Sequence, residues 1–104
     1  MNRTRLRNLC RRIESCRRSQ PKAKDLVAIA RALGRKKADR GKEPTYESTE
    51  FPELRPLSIP MHKGRDLPTG TRNSILSQLD EDVTAWEERL SRQERINGDG
   101  GRGK

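Results

Sequence analysis

The stretch Pro56–Leu90 reads PLSIPMHKGRDLPTGTRNSILSQLDEDVTAWEERL, and two periodicities meet inside it. Leu57 and Ile59 alternate with Pro56, Ser58 and Pro60, the period-two pattern of a short strand. Proline has no N–H to give a ladder, so this strand belongs at a sheet edge, or its prolines lie at its ends. After the turn-like residues 63–70, Ile75, Leu76, Leu79, Val83, Trp86 and Leu90 share one stripe at helical period. The spacing predicts a helix over about residues 71–92, with Leu79, Val83 and Trp86 facing a core and Glu81, Glu87 and Glu88 facing water.

Upstream, Leu26, Ile29, Ala30 and Leu33 form an i, i+3, i+4, i+7 stripe that ends at Gly34, suited to the residue after a helix C-terminus. That predicts a helix over 22–33. Two short strands follow, Arg35 to Arg40 and Thr45 to Thr49, parted by Gly41, Lys42, Glu43 and Pro44, a break that favours a hairpin. Before them, Leu6, Leu9, Cys10 and Ile13 lie at helical spacing among Arg3, Arg7, Arg11 and Arg18, a basic amphipathic helix over 4–18. Ser19, Gln20 and Pro21 interrupt it. The expected fold class is α+β: an accessory N-terminal helix over 1–20, then an α-β-β-β-α domain over 21–92. Two of its helices pack on one face of a three-stranded antiparallel sheet. Residues 93–104 form a polar, glycine-rich tail, expected to be disordered from Asn97 onward.

Composition bounds the rest. With 104 residues, 29% of them hydrophobic, and a mean hydropathy of −1.13, the chain supports one small core. No run approaches the roughly 18 apolar residues of a membrane span, and the N-terminus lacks a signal-peptide pattern, so the expectation is a cytoplasmic protein with no membrane partner. Cys10 and Cys16 fall on different faces of one helix and cannot bridge there. With His62 the sole histidine, their spacing fits no zinc site, so no metal or small-molecule cofactor is expected. The formal charge of +9 is lopsided: residues 1–42 carry 15 Lys and Arg against Glu14, Asp25 and Asp39, whereas 43–104 carry 9 against 12 acids. A cationic half attracts polyanions, RNA among them; a solubilising surface is the alternative reading of the same charge.

The run from Lys24 through Asp82 resembles the HicA-type mRNA interferase toxins of toxin–antitoxin pairs. The resemblance rests on "ALGRKKADRGK" after the first helix, "LSIPMH" at the edge strand, and "KGRDLPTGTRNSILSQL" opening the last helix. Its most specific part is Ile59-Pro60-x-His62 followed by Gly70-Thr71 and Ser74-Ile75-Leu76. It implies an α-β-β-β-α fold similar to double-stranded-RNA-binding domains, mRNA as ligand and substrate, and a HicB-like antitoxin as protein partner. The family's motif places a catalytic histidine after a Gly-Ser or Gly-Thr step between the first two strands. Here the chain reads Gly41-Lys42-Glu43, with Glu43 where that histidine would fall. His62 matches a second histidine common at the end of the third strand.

RNA cleavage without metal needs a base for the ribose 2′-OH, cations for the phosphorane, and an acid for the departing 5′-oxygen. Glu43 as base, His62 as acid and Lys42 or Lys63 as phosphate clamp divide that task. A solvated turn glutamate and a strand-end histidine without catalytic duty are the bland readings of the same residues. Arg40, Lys42, Lys63 and Arg65 are candidate RNA contacts in turns, and Thr71 opens a helix whose free N–H groups favour an anion. Tyr46, Phe51 and Trp86 are the only aromatics. Trp86 falls on a packing stripe, which argues against a base-stacking sheet reader. No glycine-rich phosphate loop, metal cluster or nucleophile elbow is present. The N-terminal helix could grip RNA, bind a partner or serve as an organelle transit segment; packing on the domain itself is the favoured role. Three functions stay open: a ribonuclease toxin, a catalytically silent RNA-binding module, and an interaction module whose ligand is an antitoxin.

Overall fold

A computed structural model describes residues 1–38, 44–60 and 67–102, with side chains as far as Arg95. Its elements run α1 (Arg3–Arg18), α2 (Ala23–Ala32), β1 (Arg35–Ala38), β2 (Thr45–Ser48), β3 (Leu57–Ser58) and α3 (Thr69–Arg102). The three strands form one antiparallel sheet in the order β1-β2-β3, so the proline-flanked strand is an edge strand. The expected α+β class is the one observed.

Local chemistry sets the helix ends. Asn2 caps α1, its side-chain oxygen accepting the Arg5 N–H at 2.8 Å. Arg17 and Arg18 sit in the last turn, where cations complement the helix dipole. The Asp25 carboxylate accepts the Lys22 N–H at 2.9 Å at the start of α2. Gly34 leaves α2 at φ 102°, a left-handed conformation that any side chain would strain. That turn sends the chain directly into β1.

Register follows from burial. Arg35 pairs with Ser48 and Lys37 with Tyr46, and Tyr46 also pairs with Leu57. Arg35, Tyr46, Ser48 and Leu57 are buried while Lys36 and Ser58, on the opposite face, are exposed, so the inner face of the sheet meets the helices and the outer face meets water. On α3, Ile75, Leu76, Leu79, Val83, Trp86 and Leu90 are buried and Glu81, Glu87 and Glu88 exposed, as the periodicity predicts. Phe51 meets Trp86 edge-on with ring centroids 5.0 Å apart. The Trp86 Nε1–H donates to the Leu33 carbonyl at 2.7 Å, satisfying one of the free acceptors at the end of α2.

The apolar stripe of α1 is spent inside the same core. Leu6, Leu9, Ile13 and Cys16 are buried, and α1 packs on α3 and α2. Cys16 rather than Cys10 completes the stripe, since seven residues beyond Leu9 return to its face, and Cys10 is half-buried at the margin. β3 is short because the Pro60 nitrogen carries no proton; past Ser58 the strand adds one bond, from Ile59 N–H to the Pro44 carbonyl at 3.2 Å. At the other end, α3 stays helical to Arg102, through residues whose composition predicts disorder. Lengthening a formed helix needs no new nucleus. Among the described residues no helix is long and apolar enough to cross a membrane.

Candidate nucleic-acid interface

Of the residues singled out in the sequence, Glu43, Arg40, Lys42, His62, Lys63 and Arg65 lie outside the described residues. The chain on either side of them is described. Pro44, which follows Glu43, accepts the Ile59 N–H, and Thr45 pairs with Ser58. Pro44 and Pro60 therefore stand at one end of the sheet, where β1 also ends at Ala38 opposite Thr45. The β1–β2 and β3–α3 connections both begin there.

The first turn of α3 closes the same region. Pro56, Ser58 and Pro60 from the edge strand face Gly70, Thr71, Ser74, Ile75 and Gln78 across an open groove. Thr71 is half-buried in its wall. The first backbone bond of α3 runs from Arg72 N–H to the Pro68 carbonyl at 2.9 Å, so the amides of Thr69, Gly70 and Thr71 have no acceptor within the helix. Gly70 has open space where a Cβ would stand, which leaves the backbone approachable. On the groove wall the buried Gln78 Oε1 has no hydrogen-bond partner among the described residues, so a ligand hydroxyl or amide could satisfy it. The arrangement offers N–H donors to an anion and one acceptor to a hydroxyl.

Sequence reasoning missed the buried pair that ties the other end of the sheet, where Arg35 stands opposite Ser48, to α3. Arg35 and Asp82 are 2% and 1% exposed. Arg35 donates through Nε and Nη2 to the two Asp82 carboxylate oxygens, both at 2.7 Å. Its Nη1 donates to the Tyr46 and Arg55 carbonyls at 2.9 and 3.0 Å. One guanidinium thus links β1, β2, the β2–β3 connection and α3. Burial pushes the Asp82 carboxyl above its usual range, and the hydrogen bonds from Arg35 act against that rise. A signal existed: Asp82 lies three residues after Leu79 and four before Trp86, an acid on an apolar stripe.

The arginines of α1 divide into two groups. Arg3 donates to Glu94 at 2.9 and 3.0 Å and to Ser91 Oγ at 2.9 Å, and Arg17 donates to Asp80. Arg3 and Arg17 lie as far apart on α1 as Glu94 and Asp80 do on α3, about 21 Å at 1.5 Å per residue. The two pairs lock the helices antiparallel. At the end of α1, the Ser19 carbonyl accepts from Arg72 Nη1 at 3.0 Å. The hydrogen bond to Arg3 holds the Glu94 carboxyl below its usual range. Arg5, Arg7, Arg11, Arg12 and Arg18 are exposed and take no ion-pair partner among the described residues.

Burial raises both thiols, Cys10 and Cys16, above the ordinary value. Among the described residues no cluster of three or more His, Cys, Asp or Glu could hold a metal ion. No protein-family model, no curated protein and no solved structure matches this chain.

Proposed function

We propose that the chain is an RNA-binding endoribonuclease of the HicA-like toxin kind, whose site is the sheet end bounded by Pro44, Pro60 and the first turn of α3. The observation that carries this reading is the Ile59–Pro44 hydrogen bond with the Thr45–Ser58 register. It brings Pro44 and Pro60, the described residues beside Glu43 and His62 in the sequence, to one sheet end, next to first-turn amides of α3 that have no acceptor within the helix and suit phosphate.

In the reaction the Glu43 carboxylate takes the ribose 2′-OH proton and the 2′-oxygen bonds to phosphorus. The P–O5′ bond breaks, and the His62 imidazolium protonates the departing 5′-oxygen. The products are a 2′,3′-cyclic phosphate and a 5′-hydroxyl end. Lys42 and Lys63 serve as phosphate clamps, with Arg40, Arg65 and Thr71 as further RNA contacts. A HicB-like antitoxin presenting an acidic face is the restraining partner.

Purified protein incubated with RNA in EDTA tests the chemistry. Cleavage with a bell-shaped pH profile is expected, along with an intact 2′-deoxy substrate and a loss of about 10²-fold or more in rate for His62→Ala and for Glu43→Gln. A loss confined to His62→Ala removes Glu43 from the mechanism. One observation favours a second reading: Glu43 stands where the family pattern has histidine. A folded wild type that binds RNA and cleaves none would make the chain a silent binder.

A further inference from the structure

We propose that the outward face of α1 is a track for the sugar-phosphate backbone of RNA, a surface separate from the sheet-end groove. The inference rests on the reading of RNA as the ligand. Leu6, Leu9, Ile13 and Cys16 define the buried face of α1. At 100° per residue, Arg7, Arg11 and Arg18 fall opposite them, within about 40° of one another. All three are exposed, and the stripe they form is about 17 Å long. Arg5 and Arg12, also exposed, lie about 100° or more around the helix from the stripe, beside the buried face, and are not part of it. The acid on this face, Glu14, lies 3.7 Å from Arg17, which also holds Asp80.

Folding alone does not account for these charges. Arg3, Arg7 and Arg11 are successive i, i+4 neighbours of like charge, an arrangement that weakens a helix. Arg3 is compensated by Glu94, whereas Arg7 and Arg11 have no ion-pair partner among the described residues. A polyanion would supply what the fold omits. Arginine forks match phosphate oxygens two at a time, and the stripe is held in place beforehand by the Asn2 cap and the Arg3 and Arg17 pairs. A lipid surface fits poorly, because an interfacial helix needs its apolar face free and that of α1 is in the core. The track also leads somewhere. Arg18 adjoins Ser19, whose carbonyl is held by Arg72, and Thr71 next to Arg72 lines the groove.

The test compares wild type with an Arg7→Gln/Arg11→Gln/Arg18→Gln variant. The probe is a labelled single-stranded 2′-O-methyl RNA of roughly thirty nucleotides, long enough for track and groove together and blocked against attack by its 2′-oxygen. Anisotropy is followed across salt concentrations. Three lost phosphate contacts should lower the slope of log K against log salt by about 2, weakening binding about a hundredfold near 0.1 M salt and little near 1 M. A second variant, Arg31→Gln/Lys36→Gln/Lys37→Gln, removes three exposed cations elsewhere and should keep affinity within about threefold. Equal losses in the two variants overturn the track in favour of diffuse charge. Wild-type affinity and slope in the α1 variant, with wild type binding well, overturn the track and leave the sheet-end reading standing. A wild type that ignores RNA and binds poly-glutamate overturns both. Circular dichroism guards the comparison: the α1 variant should melt at or slightly above wild type, since it sheds repulsion and touches no buried side chain. If it fails to fold, Arg7→Gln and Arg11→Gln made singly should each lower the slope by about 0.7, and unchanged slopes count against the track.

Discussion

Asp82→Asn should be among the most damaging single changes to this fold, and the damage should be largely reversible by a second substitution. The change keeps size and shape but removes the charge from a carboxylate that is 1% exposed and receives two 2.7 Å bonds from Arg35, itself 2% exposed. An unpaired guanidinium then remains buried, at a cost of about 3–5 kcal/mol. For a chain of this size that is a fall in melting temperature of roughly 12–40 °C. Arg35→Met should cost a similar amount, because it strands the carboxylate. The double variant Arg35→Met/Asp82→Asn leaves no buried charge; it loses the bonds to the Tyr46 and Arg55 carbonyls and leaves a small neutral amide in place of the carboxylate, about 1–3 kcal/mol. Urea unfolding of the four proteins closes the cycle, with an expected coupling of about 3 kcal/mol or more. A double variant as unstable as the sum of the singles would refute the reasoning.

Trp86→Ala should cost about 3–5 kcal/mol by thermal melting, since the ring is 8% exposed, meets Phe51 edge-on and donates to Leu33; Trp86→Phe should cost far less. Thiol titration of the native protein should label buried Cys16 only as it unfolds and half-buried Cys10 slowly. Both folded thiols are raised above 9.0, so their contribution to stability is complete below that pH and is lost as pH rises past it. Glu94 behaves in the opposite sense. Its folded carboxyl lies below 4.5, so the Arg3 pair contributes above that value and the contribution fades as pH falls through the folded one; Glu94→Gln should flatten that part of the acid melting profile.

Elements with a strong period were legible in the sequence. The α3 stripe from Ile75 to Leu90 and the α2 stripe ending at Gly34 predicted both the helices and their buried faces, because burial of an apolar row is a local pattern. The proline-flanked strand at Leu57 was legible as an edge for an equally local reason. Long-range electrostatics was not legible. That Arg35 would turn inward to Asp82, and that Arg3 and Arg17 would pair with α3 while Arg7, Arg11 and Arg18 stay outside, depends on elements 47 or more residues apart. Cys16 was underrated because the α1 stripe was traced only to Ile13. As for the site, Glu43 and His62 came from a resemblance and from chemistry, and the sheet register adds that Pro44 and Pro60, beside those two stretches, share one end.

Mapping RNA 5′ ends in cells expressing the chain tests the central claim most directly. Induction of the wild type should create a set of new 5′-hydroxyl ends within minutes. His62→Ala, accumulating to the same level and melting like wild type, should create none. Identical end profiles with and without induction of the folded wild-type protein would contradict the account.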